Sequence, residues 1–370
     1  LTGYIAGSYG TSLLSDLGAD VIKVESPTGD GFRMLGGSFQ AWNRGKRGMV
    51  VDLRTPEGRE VVYDLVRGAD VVAENFRPGT AEKLGVDVET LRGLRPSIVY
   101  LSVSGYGPTG PLAFDPAFDP LVQTLSGTMS AQGTDGQPVY LRVAVADYAA
   151  AMLACFGVVS GLLARRRGAG GSYVATSLLH AAVAVQSGEL IRHVDGPRDE
   201  RRWGQLGVTA TYRLYEAEGG YLFLSCSDDT SFAAACAALG LPDLAEKFAS
   251  KTSRDEGDGA IAETLAFALA GMPVADAEAR LRAHGVRCAR ARHMMDAHGD
   301  PQALANGLSV DADTIVGPVK MMGPPFRFAA TPVVAQRPGP GLGQHTDEVL
   351  AELGYSHERI AGLRAAGAVH

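Results

Sequence analysis

The residues best placed to do chemistry gather around one carboxylate, Asp147, in the stretch 140–167, YLRVAVADYAAAMLACFGVVSGLLARRR. A β-branched run carrying Val139, Val143 and Val145 reads as a short strand. After it, Met152, Leu153, Phe156, Val159, Leu162 and Leu163 recur at helical spacing. Asp147 therefore stands at or near a helix N-terminus, where unpaired backbone N–H groups and the positive end of the helix favour an anion. Arg165, Arg166 and Arg167 suit the opposite end. Such a carboxylate can cap the helix or attack an electrophile, and this passage leaves both open.

Groups able to receive an anionic ligand lie elsewhere in the chain. Arg33 and the Arg44, Lys46, Arg47 cluster fall in a glycine-rich, basic segment that reads as a loop. Arg77 precedes the turn at Pro78 and Gly79, close to the carboxyl edge at which open parallel sheets bind ligands. Gly105, Gly107 and Gly110 shape a tight loop. They match neither GxGxxG nor GxxxxGK[ST], which disfavours nicotinamide and nucleoside-triphosphate enzymes. His180, inside an apolar run, reads as a packed, hydrogen-bonded histidine. His293 and His298 lack a third ligand in a metal-site pattern. Gly343 and His345 fit either a pocket lining or a helix entry.

These groups must be held by alternating helices and strands. The pattern predicts a helix over 9–17, strands over 20–25 and 49–53, a helix over 57–67 and a strand over 70–74. A helix from residue 80, another over 88–94 and the strand in PSIVYLSVSG follow. Beyond Arg167, YVATSLLH reads as a strand passing into a helix, and the charged DGPRDERRWGQ marks a domain boundary. Strands over 211–215 and 221–225, joined at Gly219-Gly220, and helices over 231–239, 260–269 and 274–283 then describe a small α+β domain. Residues 251–259 read as an exposed loop. From Gly317 a proline-rich connection travels back across the first domain to a helix over 346–353.

A chain of 370 residues with 46% hydrophobic content can build one large domain and a smaller one. Thirty-four basic against forty-one acidic residues, net −7, exclude a broad nucleic-acid surface but leave room for a local phosphate site. Cys155, Cys226, Cys236 and Cys288 are scattered and read as reduced residues of a cytosolic protein. No signal peptide or uninterrupted membrane span is apparent. The numbering opens on Leu1 and the first element is already the helix over 9–17, where an α/β layout places a strand first, so the expectation is that further residues, or a related domain, precede it.

DLGADVIKVE at 16–25, WNRGKRG at 42–48, ENFRPGTAEKLGVD at 74–87, SGYGPTGP at 104–111, VADY at 145–148 and GQHTDEVLAELG at 343–354 together resemble the class III CoA-transferase family, of the carnitine and formyl-CoA transferase type. The resemblance is collinear over 16–354. It implies an α/β fold with a Rossmann-like large domain beginning in 1–200, a smaller α+β domain in 201–310, and a return segment, 311–370, packing on the large domain. It further implies a homodimer interlocked like linked rings, or pairing with a related domain. Asp147 becomes the expected nucleophile, passing through an aspartyl-acyl anhydride and an aspartyl-CoA thioester. Coenzyme A and acyl-CoA are then substrates, with no tightly bound cofactor, metal, nucleic acid or membrane, in the cytoplasm. Arg44, Lys46, Arg47, Asn75, Phe76, Arg77, Gly105, Tyr106 and Gly107 match the motifs expected to hold CoA.

Departures from the pattern bear on the substrate. Ala151 stands where a glycine is common and either narrows the pocket or reflects different packing. Ser8 replaces a proline, and Ala175 and His180 replace two acids. The 204–209 segment lacks the glycine-rich flap associated with oxalate-type acceptors. In the related 2-methylacyl-CoA racemases a histidine stands where AFDP has Phe118, which cannot exchange a proton. A non-catalytic CoA-binding half of a fused protein is the remaining alternative.

Overall fold

The computed structural model describes residues 1–133, 137–191, 205–331 and 337–370. The chain divides into two compact units, one formed by Leu1–Met129, Tyr140–Ile191 and His298–His370, the other by Ser130–Val139 and Arg192–Ala297. The boundary segment DGPRDERRWGQ lies outside the described residues except for its last residue, Gln205.

The first unit is mixed α/β. It begins with α1 (Ala6–Asp16), β1 (Ile22–Glu25), α2 (Gly37–Asn43), β2 (Arg47–Val50), α3 (Pro56–Gly68) and β3 (Val71–Glu74). It continues with α4 (Thr80–Leu84), α5 (Val88–Leu94), β4 (Val99–Ser104) and α6 (Asp119–Leu125). The short α7 (Thr128–Gln132) precedes α8 (Val145–Ala164), β5 (Ser172–Ser177) and α9 (Leu178–Ala184). β1 and β2 pair in parallel, and a separate parallel sheet has the order β3-β4-β5. β4 is central and apolar; Val99, Leu101 and Val103 are buried, as parallel strands covered on both faces require. α3 starts where its composition says it should. Thr55 accepts the Gly58 amide, Pro56 fills the first turn, and Val61, Val62 and Val66 face the core.

α8 is the central helix, packed on α1, α9, β4 and β5. Gly157 and Gly161 permit this, because a Cβ there would lie 2.7 Å from Val174 and 2.9 Å from Val99. Gly10 does the same for α1, its Cβ position being 2.9 Å from the Ala151 carbonyl. Ala151 itself is fully buried, with its backbone against α1 at this contact. By length and composition alone α8 could span a membrane; one side of it packs on the elements named above, while Met152, Phe156, Val159 and Leu163 are exposed.

The second unit carries β6 (Gly207–Thr209), β7 (Tyr212–Ala217) and β8 (Gly220–Ser225), then α10 (Asp229–Leu239), α11 (Pro242–Lys247), α12 (Lys251–Glu256), α13 (Asp258–Ala270), α14 (Val274–Ala283) and β9 (Arg287–Arg290). Its antiparallel sheet has the order β6-β7-β8-β9. Leu222, Leu224, Phe232, Ile261, Leu265 and Leu281 form its core. The first unit then resumes with α15 (Pro301–Ala305), β10 (Ser309–Thr314), β11 (Gly317–Met322), α16 (Thr346–Glu352) and α17 (His357–Ala365).

Four expectations change. The Val139–Val145 run is not a strand: its backbone is satisfied by Gln123, whose amide oxygen accepts Leu141 N–H at 3.3 Å and whose amide nitrogen donates to Leu141 O at 3.1 Å. Residues 251–259 are helical, because Ser250 and Ser253 cap α12 reciprocally. The glycine-rich segment before β2 contains α2. Residues 309–322 form the antiparallel β10–β11 hairpin instead of a plain connection.

Candidate active site

Asp147 is the third residue of α8, and it does not cap that helix. The capping carboxylate comes from Asp119, the first residue of α6, whose Oδ2 accepts Ala146 N–H at 2.8 Å and Asp147 N–H at 3.2 Å. Gln123, one turn further along α6, donates to the other oxygen of Asp119. Both side chains are buried. With the helix amides taken by Asp119, the carboxyl of Asp147 faces the backbone N–H of Ala6, the first residue of α1. Burial, and after it the like charge of Asp119, pushes Asp147 up to about 7; the Ala6 N–H acts in the opposite direction.

The start of α1 is held in place by residues drawn from three elements. Asn75, after β3, accepts Gly3 N–H at 2.8 Å and donates to Gly3 O at 2.8 Å. Asp30 accepts Tyr4 N–H at 3.2 Å, and Lys23 of β1 donates to Thr2 O at 2.7 Å while pairing with Asp30 at 2.9 Å. Tyr4 has φ +58°, a conformation costly for a residue with a side chain and maintained here by those bonds. Its ring meets Phe32 at 5.0 Å and Phe118 at 6.0 Å, both edge-on. Behind Asp147, the Tyr148 hydroxyl accepts the Trp42 indole N–H at 3.1 Å and its ring contacts Tyr9.

The basic candidates separate into two groups. Arg44 is buried and paired with Asp16, donating also to Ala41 O. Lys46 is buried with its ammonium on Ser8 O at 2.7 Å and Asn43 Oδ1 at 2.9 Å, and burial lowers its pKa well below the usual lysine range. Arg47 is tied to Asp20, Glu348 and Glu352. Arg33 pairs with Glu25. These donors serve the fold, and none of the first three is presented to solvent. Arg77 differs: it is exposed, and its guanidinium makes no hydrogen bond or ion pair to any described residue, although its carbonyl accepts Thr80 N–H at 3.0 Å. It lines a cleft of 150 Å³ at the carboxyl ends of β3 to β5 with Ser102, Ser104 and Ala175, and Glu74, Glu82 and Asp87 line the same cleft.

Asn75 and Phe76 line a larger cleft of 410 Å³, together with Thr2, Gly3, Tyr4, Leu53 and Arg54. Gly105, Tyr106 and Gly107 follow β4. Gly105 is required by a close approach, a Cβ there falling 2.1 Å from that of Ala117, and Gly107 has φ +107° with its N–H on Ser104 Oγ at 3.1 Å. His180 is exposed instead of packed, its Nδ1 2.9 Å from the Ser177 hydroxyl. His345 enters α16 with Nδ1 accepting Gly48 N–H at 3.1 Å. The 204–209 segment falls on β6 from Gly207, with Gly204 outside the described residues.

Asp119, Gln123 and the Ala6 amide escape a reading of motifs. Their one local signal is Asp119-Pro120, an acid and a proline at a helix start.

The arrangement sets a partly buried carboxylate of raised pKa beside the N-terminus of α1, and the residues that precede this helix, Thr2, Gly3 and Tyr4, line the larger cleft. Comparison with known proteins matches residues 1–346 to the model of CoA-transferase family III. The chain is 33% identical over 376 residues to the succinate–glutarate CoA-transferase of Agrobacterium fabrum, covering 95% of this chain and 93% of that protein. It is 31% identical to the succinyl-CoA:glutarate CoA-transferase of Mus musculus, covering 100% of this chain and 88% of that one. Among solved structures, a CAIB/BAIF family protein from Brucella suis superposes with a TM-score of 0.87 at 32% identity, over 95% of this chain and 97% of that one. The chain belongs to CoA-transferase family III, enzymes that move CoA between an acyl-CoA and a free carboxylic acid.

Proposed function

We propose that Asp147 is the nucleophile of this transfer. The observation that carries the reading is the division of labour at α8: Asp119 caps the helix, and Asp147 is left basic, desolvated and on the Ala6 amide. Its carboxylate attacks the thioester carbonyl of acyl-CoA, the C–S bond breaks, and an aspartyl-acyl anhydride and CoA thiolate result. The thiolate attacks the aspartyl carbonyl, releasing the first acid and leaving an aspartyl-CoA thioester. At that step negative charge develops on the aspartyl oxygen. The Ala6 N–H, at the positive end of α1, is placed to stabilise it. The acceptor acid attacks the thioester to re-form an anhydride, and thiolate takes the new acyl group. Thioester energy is conserved, so the chemistry itself needs no ATP.

The cleft lined by Asn75, Phe76, Leu53 and Arg54 is the proposed seat of the CoA nucleotide. Its wall of Thr2, Gly3 and Tyr4 leads to Ala6 and so to Asp147. Arg77, exposed and without an ion pair among the described residues, supplies a cation for a phosphate. Gly105, Tyr106 and Gly107 are assigned to the same substrate path. The assignment of Arg44, Lys46 and Arg47 changes from phosphate contact to support of this site, since their donors are already engaged. CoA is bound as substrate, and no other cofactor is invoked. Succinyl-CoA with glutarate is the first pair to test, from the activities for which the two relatives are named. Phe118, beside Asp119, has no proton to exchange, which argues against racemisation.

The two parallel sheets with helices between their strands support a Rossmann-like large domain. Met152, Phe156, Val159 and Leu163 make an exposed apolar stripe along α8, which supports an interlocked homodimer. The free cysteines fit the cytoplasm. Incubation with a panel of acyl-CoA donors and free acids, followed by mass, tests the activity. Asp147→Ala is expected to abolish exchange while CoA still binds; undiminished exchange in that variant would refute the mechanism.

A further inference from the structure

The start of α8 contains two carboxylates where helix capping requires one. Asp119 sits on α6, 27 residues before Ala146, yet it is the group that receives the first amides of α8. It is 4% exposed. Gln123 fixes it from behind and, through the same amide, holds the backbone of Leu141 and Val143 that leads into the helix. The α6 side chains therefore set both the position of the first turn of α8 and the hydrogen bonding of its amides. Had Asp147 capped its own helix, its carboxylate would be neutralised by those amides and turned back along the chain.

We propose that Asp119 is a positioning residue of the transfer reaction: its carboxylate takes the α8 amides in place of Asp147 and, as a fixed negative charge, keeps the Asp147 carboxylate available for attack. This rests on Asp147 being the nucleophile. The groups facing Asp147 are few. α6 brings Asp119; α1 brings the Ala6 amide; α8 itself brings Tyr148, which in turn meets Tyr9 of α1 and Trp42 of α2. Among the described residues Asp119 is the only charged side chain in this group, so its removal should be read directly at Asp147.

Its role as a cap and its role as a charge are separable. Asn and Ser both cap helices well without a charge, and Ala does neither. In Asp119→Asn and Asp119→Ser, the acid limb of the kcat/KM profile is expected to move to lower pH by about one pH unit, with little change in KM for acyl-CoA. kcat on the plateau should fall several-fold as the carboxylate becomes a weaker base. In Asp119→Ala the loss of kcat should exceed that of either capping variant, again with KM changing less. Thermal midpoints of all three, measured on the full chain, report their folding. Two neutral capping variants protect against one failing to fold. If folded Asn and Ser variants kept the wild-type acid limb and plateau, or if Ala lost only thermal stability, Asp119 would be structural and the proposal would fall. Exchange persisting in Asp147→Ala would instead refute the nucleophile assignment beneath it.

Discussion

Asp147→Asn should abolish exchange and stabilise the fold, by an amount set by pH. The carboxyl of Asp147 rises from 3.8 to about 7 on folding, through burial first and the charge of Asp119 second. A raised acid prefers its proton in the native state, so the native state is favoured while both states are protonated and loses that favour as pH rises through the interval. Below about pH 4 the group contributes no penalty. Between there and about pH 7 the cost of ionisation grows by about 1.4 kcal/mol per pH unit, and above that it levels near 4 kcal/mol. Asparagine removes the cost, because it carries no charge, and it retains an oxygen for the Ala6 amide. For a chain of this length the difference amounts to roughly 5 °C in thermal midpoint. Chemical and thermal denaturation of the two proteins at pH 4, 6 and 8 gives the comparison. Equal stability at pH 4 with a widening advantage for Asn is expected. A gap independent of pH, or an Asn variant less stable than wild type at pH 8, would show that Asp147 is not held as a strained carboxylate.

Asn75→Ala removes both bonds to Gly3 and should leave a part-buried amide and carbonyl poorly matched, at about 1 kcal/mol. Because those bonds fix the entry to α1, steady-state kinetics should show kcat falling by about tenfold or more; unchanged kcat would disconnect the start of α1 from catalysis. Phe156→Asp places a charge on the exposed stripe of α8 and should convert the proposed homodimer to monomer on size-exclusion chromatography with light scattering, whereas an unaltered mass would place the interface elsewhere.

Much of the architecture could be read from local pattern because local physics determines it. β4 announces itself by Ile98, Val99, Leu101 and Val103, and α3 by Thr55-Pro56 followed by Val61, Val62 and Val66. The residues before α8 have the same β-branched content as a strand, but β content does not create a pairing partner; a single glutamine side chain supplies what a neighbouring strand would have. The polar 251–259 segment resembled a loop because its helix is held by caps at its ends more than by an apolar stripe.

Charge misleads for a related reason. Arg44, Lys46 and Arg47 read as an exposed anion cradle because their neighbours in sequence are small and polar. Their partners are remote: Asp16 is 28 residues away and Glu352 is 305. Once buried, a cation without partners would cost several kcal/mol, so the acids on Arg44 and Arg47 and the neutral oxygens on Lys46 are part of the fold and occupy the donors of all three. The same logic runs in reverse at Asp147. Capping rules search the residues beside a helix, where Ala144 offers no acceptor, and so they assign the task to the nearest acid. The acceptor actually used, Asp119, arrives from another helix, and only tertiary structure could reveal that Asp147 had been released from capping to do something else.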